Sequence, residues 1–158
     1  MRYVLDTNIL LHYLRESELS LWVDSQFNPL DSSNNDAILS VVSLGEIKVI
    51  SKINQWGQKR LDKIELLCEE LLITDINSED LIERYAEIDV FSQGKLIGRP
   101  LNTSSRNMGK NDLWIASTAS ILNATLLTTD IDFNHLDREF LSVACIKMHG
   151  NSSFSVLK

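Results

Sequence analysis

At 158 residues, with 44% hydrophobic and 23% charged side chains, the chain lies outside the disordered and fibrous classes and fits one globular domain over 1–150 with a C-terminal tail at 151–158. A formal net charge of -7 argues against a protein that holds nucleic acid by broad phosphate neutralisation. The opening Met1-Arg2-Tyr3-Val4-Leu5-Asp6 meets an acid too soon for a signal-peptide core, and no apolar run approaches the roughly 20 residues of a membrane helix, so a cytoplasmic protein without membrane contact is expected.

Val4-Leu5 is a short apolar run ended by Asp6-Thr7-Asn8, after which Ile9, Leu10, Tyr13 and Leu14 recur at helical spacing: strand, then helix. A second helix from about Glu18 to Phe27 gives way to a polar loop at Asp31 to Asp36. Ala37 to Val42 reads as a buried strand, and Ser43-Leu44-Gly45-Glu46 opens a helix through Ile53. A helix from about Gln58 to Glu70, a strand over Leu71 to Ile76 and a helix from Ser78 to about Phe91 follow.

Residues 92–110 contain no acid but carry Lys95, Arg99, Arg106 and Lys110 among glycines and a proline, and read as a long loop. From Asp112 to about Asn123 an apolar helix is expected at the centre of the fold. Ala124 to Leu127 and Val143 to Ile146 are the last two strands, with Thr128-Thr129-Asp130 ending the first of them. Alternation of strand and helix predicts an α/β fold: a central parallel sheet of four to five strands, helices on both faces and right-handed crossovers.

In such folds ligands bind beyond the carboxyl ends of the strands. Asp6 and Asp130 each end a strand, Glu46 opens the helix after one, and Asp112 opens the helix after the long loop. Each acid has a local alternative. Asp6 and Asp112 suit helix N-termini, Ser43 with Glu46 fits a capping box, and Asp130 suits an Asx turn. Four carboxylates converging on one edge would resist joint ionisation without a cation. Oxygen-only ligands suit Mg²⁺ or Mn²⁺, and the chemistry implied is phosphodiester hydrolysis.

Leu5-Asp6-Thr7-Asn8, Ser43-Leu44-Gly45-Glu46, Asn111-Asp112-Leu113-Trp114-Ile115-Ala116 and Leu127-Thr128-Thr129-Asp130-Ile131-Asp132-Phe133 occur in that order. In this ordered set the chain resembles PIN-domain nucleases, particularly the VapC-like toxins of bacterial toxin-antitoxin pairs, over nearly its whole length. The resemblance implies a PIN fold, divalent-metal endoribonuclease activity on structured RNA, homodimerisation and inhibition by a cognate antitoxin. It assigns Asp6, Glu46, Asp112 and Asp130 to catalysis and metal binding, Thr7 and Asn8 to orienting the first acid or a water, and Asp132 to an auxiliary place near the metal, against which a solvated turn residue is the slightly preferred reading of Asp132. Lys95, Arg99, Arg106 and Lys110 are candidates for RNA phosphate contacts, the alternative being a solubilising loop.

His12, His135 and His149 have no metal or nucleophile spacing, and Cys68 and Cys145 make no disulfide framework and read as small buried apolar residues. Trp114 is expected in the core; Trp22 and Trp56 are open between core and dimer surface. Two other classes stay open: a catalytically silent PIN-like module that binds RNA or protein, and an aspartyl-phosphatase. The second expects an Asp two residues after Asp6, where Asn8 stands.

Overall fold

A computed structural model describes residues 1–149 and 153–157. Arg2–Leu5 (β1) is followed by Thr7–Leu14 (α1) and Glu18–Gln26 (α2), then Asp36–Ser40 (β2), Val41–Ile53 (α3) and Gln58–Glu69 (α4). The second half holds Leu72–Thr74 (β3), Glu79–Ser92 (α5), Lys110–Ile121 (α6), Thr125–Thr128 (β4), a 3-10 helix at Ile131–Leu136, Ser142–His149 (β5) and Ser153–Val156 (β6). None of the described helices is long and apolar enough to cross a membrane.

The sheet order is β3-β2-β1-β4-β5-β6. The first five strands pair in parallel and β6 joins β5 antiparallel, so the sheet has six strands where four to five were expected. The extra strand comes from the segment expected to be a tail. Ser153–Val156 lies along Ile146 to His149, so the outer side of β5 is paired there and β6 becomes the edge strand. Asn151, Ser152 and Lys158 of that expected tail lie outside the described residues.

Side chains alternate across the strands and build a core on each face. Tyr3, Leu5, Leu39, Leu127 and Ile146 face one side, where Ile9, Leu10, Leu19, Val23 and Ile47 from α1, α2 and α3 meet them. Val4, Ile38 and Leu126 face the other, against Ile88, Phe91, Leu113, Ile115 and Ala116 from α5 and α6. Seven of the twelve residues of α6 are buried, as its apolar composition predicts. Trp114 is half-buried on Tyr85, with ring centroids 4.3 Å apart, and Trp22 packs against Phe27 and Phe154. Cys145 is buried and Cys68 is half-buried.

One boundary differs in a way that matters to the acids. The second strand ends at Ser40, whose hydroxyl accepts from the Val42 N–H and caps α3, so Val41 and Val42 are helical. Their β-branched side chains suggest strand, but β2 has its last partner at Ser40, opposite Thr74 of the short edge strand β3. The helix therefore starts two residues before Ser43, which is buried inside it and caps nothing.

Candidate active site

β1 and β4 lie side by side in register, with Leu5 opposite Leu127, and both stop at the same edge. The Asp6 N–H donates to the Leu127 carbonyl at 3.0 Å and carries the carboxylate just past the central strand. Asp6 occupies the N-cap position of α1 but makes no side-chain capping bond. Its Oδ2 instead accepts from the Thr128 hydroxyl at 2.7 Å, and the same hydroxyl oxygen accepts from the Asp130 N–H at 2.9 Å. One threonine thus ties the acids that follow two neighbouring strands.

Glu46 sits in the second turn of α3, beyond reach of a capping role. Both of its carboxylate oxygens are held. Thr7 donates a short hydrogen bond to Oε2, and Asn111 Nδ2 donates to Oε1 at 2.8 Å. Asn111 also delivers the next residue, Asp112, which stands in the first turn of α6. Asp112 packs so closely on Gly109 that a Cβ there would lie 2.6 Å from its Oδ2, so a side chain at 109 would displace the Asp112 carboxylate.

Asp130 does cap, its Oδ1 accepting from the Asp132 N–H at 2.8 Å at the start of the 3-10 helix. Its turn role and its place beside Asp6 coexist. Asp132 is exposed, with Oδ1 3.7 Å from Arg106 Nη1. Asn8 is exposed one residue beyond Thr7.

The acids feel one another. Burial pushes the Asp6 carboxyl up to about 6, against the Thr128 hydroxyl, which favours the ionised form, and the charges of Asp112 and Asp130 push the same way as burial. Asp112 is likewise pushed up to about 6, first by burial and then by Asp130, Glu46 and Asp132, while the Gly109 backbone opposes this. All four acids therefore share one electrostatic neighbourhood.

No three His, Cys, Asp or Glu side chains among the described residues are arranged to hold a metal ion directly. The donor chemistry nonetheless fits a hard divalent cation: only oxygens are offered, and two of the acids retain protons at a pH where carboxylates are ordinarily charged. Mg²⁺ is commonly bound through one or two carboxylates while keeping several waters, which asks less convergence of the side chains.

The four cations of the long loop part company. Arg99 is built into the protein: its Nε lies 3.1 Å from Glu139 Oε2, and its guanidinium covers the Phe140 ring at 4.1 Å. Lys110 faces Asp89 at 3.5 Å. Lys95 and Arg106 border a polar hollow beside Asp132.

Asn111 and Thr128 are site residues that a reading of charges passes over, since a neutral donor has no signature in composition. Position was the available signal: Asn111 directly precedes one acid, and Thr128 stands two residues before another.

The PIN domain family profile matches residues 3–139. Ribonuclease VapC1 of Haemophilus influenzae is 31% identical over 133 residues, covering 83% of this chain and 88% of that protein. Ribonuclease VapC2 of Rickettsia felis is 29% identical over the same length and the same coverage. Among solved structures, VapBC2 from Rickettsia felis, bound to a DNA fragment from its promoter, superposes with a TM-score of 0.67 at 28% identity, covering 90% of this chain and 97% of the other. VapBC-1 from nontypeable Haemophilus influenzae gives 0.67 at 26% identity, covering 92% and 98%.

Proposed function

Because this chain belongs to the PIN-domain family, we propose that its acidic cluster hydrolyses phosphodiester bonds within structured RNA and that it is the toxin of a toxin-antitoxin pair. The observation that carries this reading is the set Asp6, Glu46, Asp112 and Asp130 at one sheet edge, two of them kept protonated up to about pH 6 by burial and by their neighbours. The relatives named ribonuclease VapC support the substrate class. The VapBC complexes support a cognate antitoxin as partner, and the reading includes a second copy of the chain.

One or two of Asp6, Glu46, Asp112 and Asp130 would hold Mg²⁺ or Mn²⁺ directly and the others through its waters, with Asp132 as an auxiliary acid. Bound there, the cation supplies an activated water and neutralises charge on the scissile phosphate and leaving oxygen. The chain's own contribution is orientation. Thr7 and Asn111 fix both oxygens of Glu46, and Thr128 fixes Asp6 against Asp130. Asn8, exposed at the start of α1, is the member of this segment left to meet water or substrate.

The test is direct. Purified protein incubated with structured RNAs and Mg²⁺ or Mn²⁺ is expected to cut them internally, EDTA to stop the cutting, and Asp6→Asn to abolish it. Equal cleavage by wild type and Asp6→Asn overturns the reading.

A further inference from the structure

The loop between α5 and α6 closes around a hollow of about 240 Å³ lined by Gln93, Lys95, Ser105, Arg106 and Asn107. The loop is pinned where the Arg106 N–H donates to the Ser92 carbonyl at 2.8 Å, and it turns at Gly94, whose φ of +71° suits glycine. Lys95 is exposed and reaches Gln93 Oε1 at 2.9 Å. No acid lines this hollow.

Arg106 has donors to spare. Its Nε is buried without a hydrogen-bond partner among the described residues, and its approach to Asp132 at 3.7 Å is longer than a hydrogen bond. The buried Nε is closed to a ligand, but Arg106 lines the hollow, and the outer N–H groups of a guanidinium form a planar fork that suits phosphate oxygens. Asp132 in turn donates its N–H to Asp130, so the hollow is one ion pair removed from the acidic cluster.

We infer that this hollow is a phosphate subsite, in which Lys95 and Arg106 grip a backbone phosphate of the RNA next to the one being cut, while Arg99 and Lys110 serve the fold. The inference rests on the ribonuclease reading for its substrate. It explains how a chain of net charge -7 takes hold of a polyanion: the grip is confined to a few phosphates at one place on the surface.

The experiment measures binding apart from cleavage. Affinity of the full chain for a fluorescein-labelled stem-loop RNA is followed by anisotropy in EDTA across a range of salt concentrations. Removing one cation that neutralises a phosphate should lower the slope of log affinity against log salt by about 0.7 to 0.9. Lys95→Gln and Arg106→Gln are each expected to lower the slope by about one such step and the double variant by about two; Arg106→Lys should recover most of the slope. Arg99→Gln should leave the slope alone while lowering the melting temperature. Lys95 is exposed, so its variant does not depend on the fold tolerating the change.

An unchanged slope in the double variant, or an equal decrease in Arg99→Gln, overturns the subsite. If wild type cleaves RNA while those slopes fail to move, the subsite falls and the ribonuclease stands. Altered slopes with no cleavage under either metal count against the ribonuclease reading alone.

Discussion

Asp6→Asn should make the metal-free protein more stable, although Asp6 is held by a hydrogen bond. The carboxyl is pushed from its ordinary 3.8 up to about 6 in the folded chain, and the side chain is almost fully buried. Between about pH 4 and pH 6 folding therefore takes up a proton at Asp6, so stability is greatest below the unfolded value and falls as pH rises through the folded one. A shift of roughly two units corresponds to up to about 3 kcal/mol lost by pH 7. Asparagine offers Thr128 the same acceptor without the charge. In urea titrations in EDTA, wild type and Asp6→Asn should match near pH 4, and the variant should gain up to about 3 kcal/mol by pH 7. That corresponds to roughly 6 to 12 °C in melting temperature for a chain of this size. A difference that stays constant from pH 4 to pH 8, or a variant less stable at pH 8, refutes the claim that burial, aided by the neighbouring acids, keeps the Asp6 carboxyl protonated up to about pH 6.

Adding Mn²⁺ at pH 6 should release protons, because Asp6 and Asp112 are about half-protonated there; calorimetry in buffers of different ionisation enthalpy should find about one proton per chain, and none released would count against both acids as ligands. Asn111→Ala removes one of the two donors that hold Glu46 and should slow RNA cleavage about 10- to 100-fold at unchanged melting temperature, as measured by single-turnover cleavage and thermal unfolding. Phe91, buried between His135 and Phe140 on the second core face, should cost about 3 to 5 kcal/mol as Phe91→Ala, which urea denaturation checks.

The order of strands and helices was legible because hydrophobic period and turn residues mark it locally. Helix starts were harder. Val41 and Val42 carry strand-like side chains, yet they fall where β2 has run out of partners, and only the partner strand reveals that. The same shift by a few residues moved Glu46 from a capping position to the second turn, where its carboxylate can reach Thr7 and Asn111. The segment after His149 carried a hairpin signal in Gly150-Asn151-Ser152 followed by alternating Phe154 and Val156, but a strand so near the end of the sequence is distinguished from a tail only by the edge it covers. The gathering of the acids at one sheet edge was legible, and Thr7 was read beside them; the clamps Thr128 and Asn111 were not, since their bonds span 122 and 65 residues.

That longest bond also sets an order in time. The central strand β1 has β2 on one side, but its second neighbour is β4, and the Asp6 to Thr128 bond joins positions 122 residues apart. A ribosome making this chain exposes Asp6 first and Thr128 only when most of the rest has been synthesised. Until then β1 has one flank unpaired, Asp130 has not been made, and the long-range closure that slows such sheets is still to come. A chain that has not yet reached Thr128 therefore lacks the bond that seats Asp6 at the sheet edge.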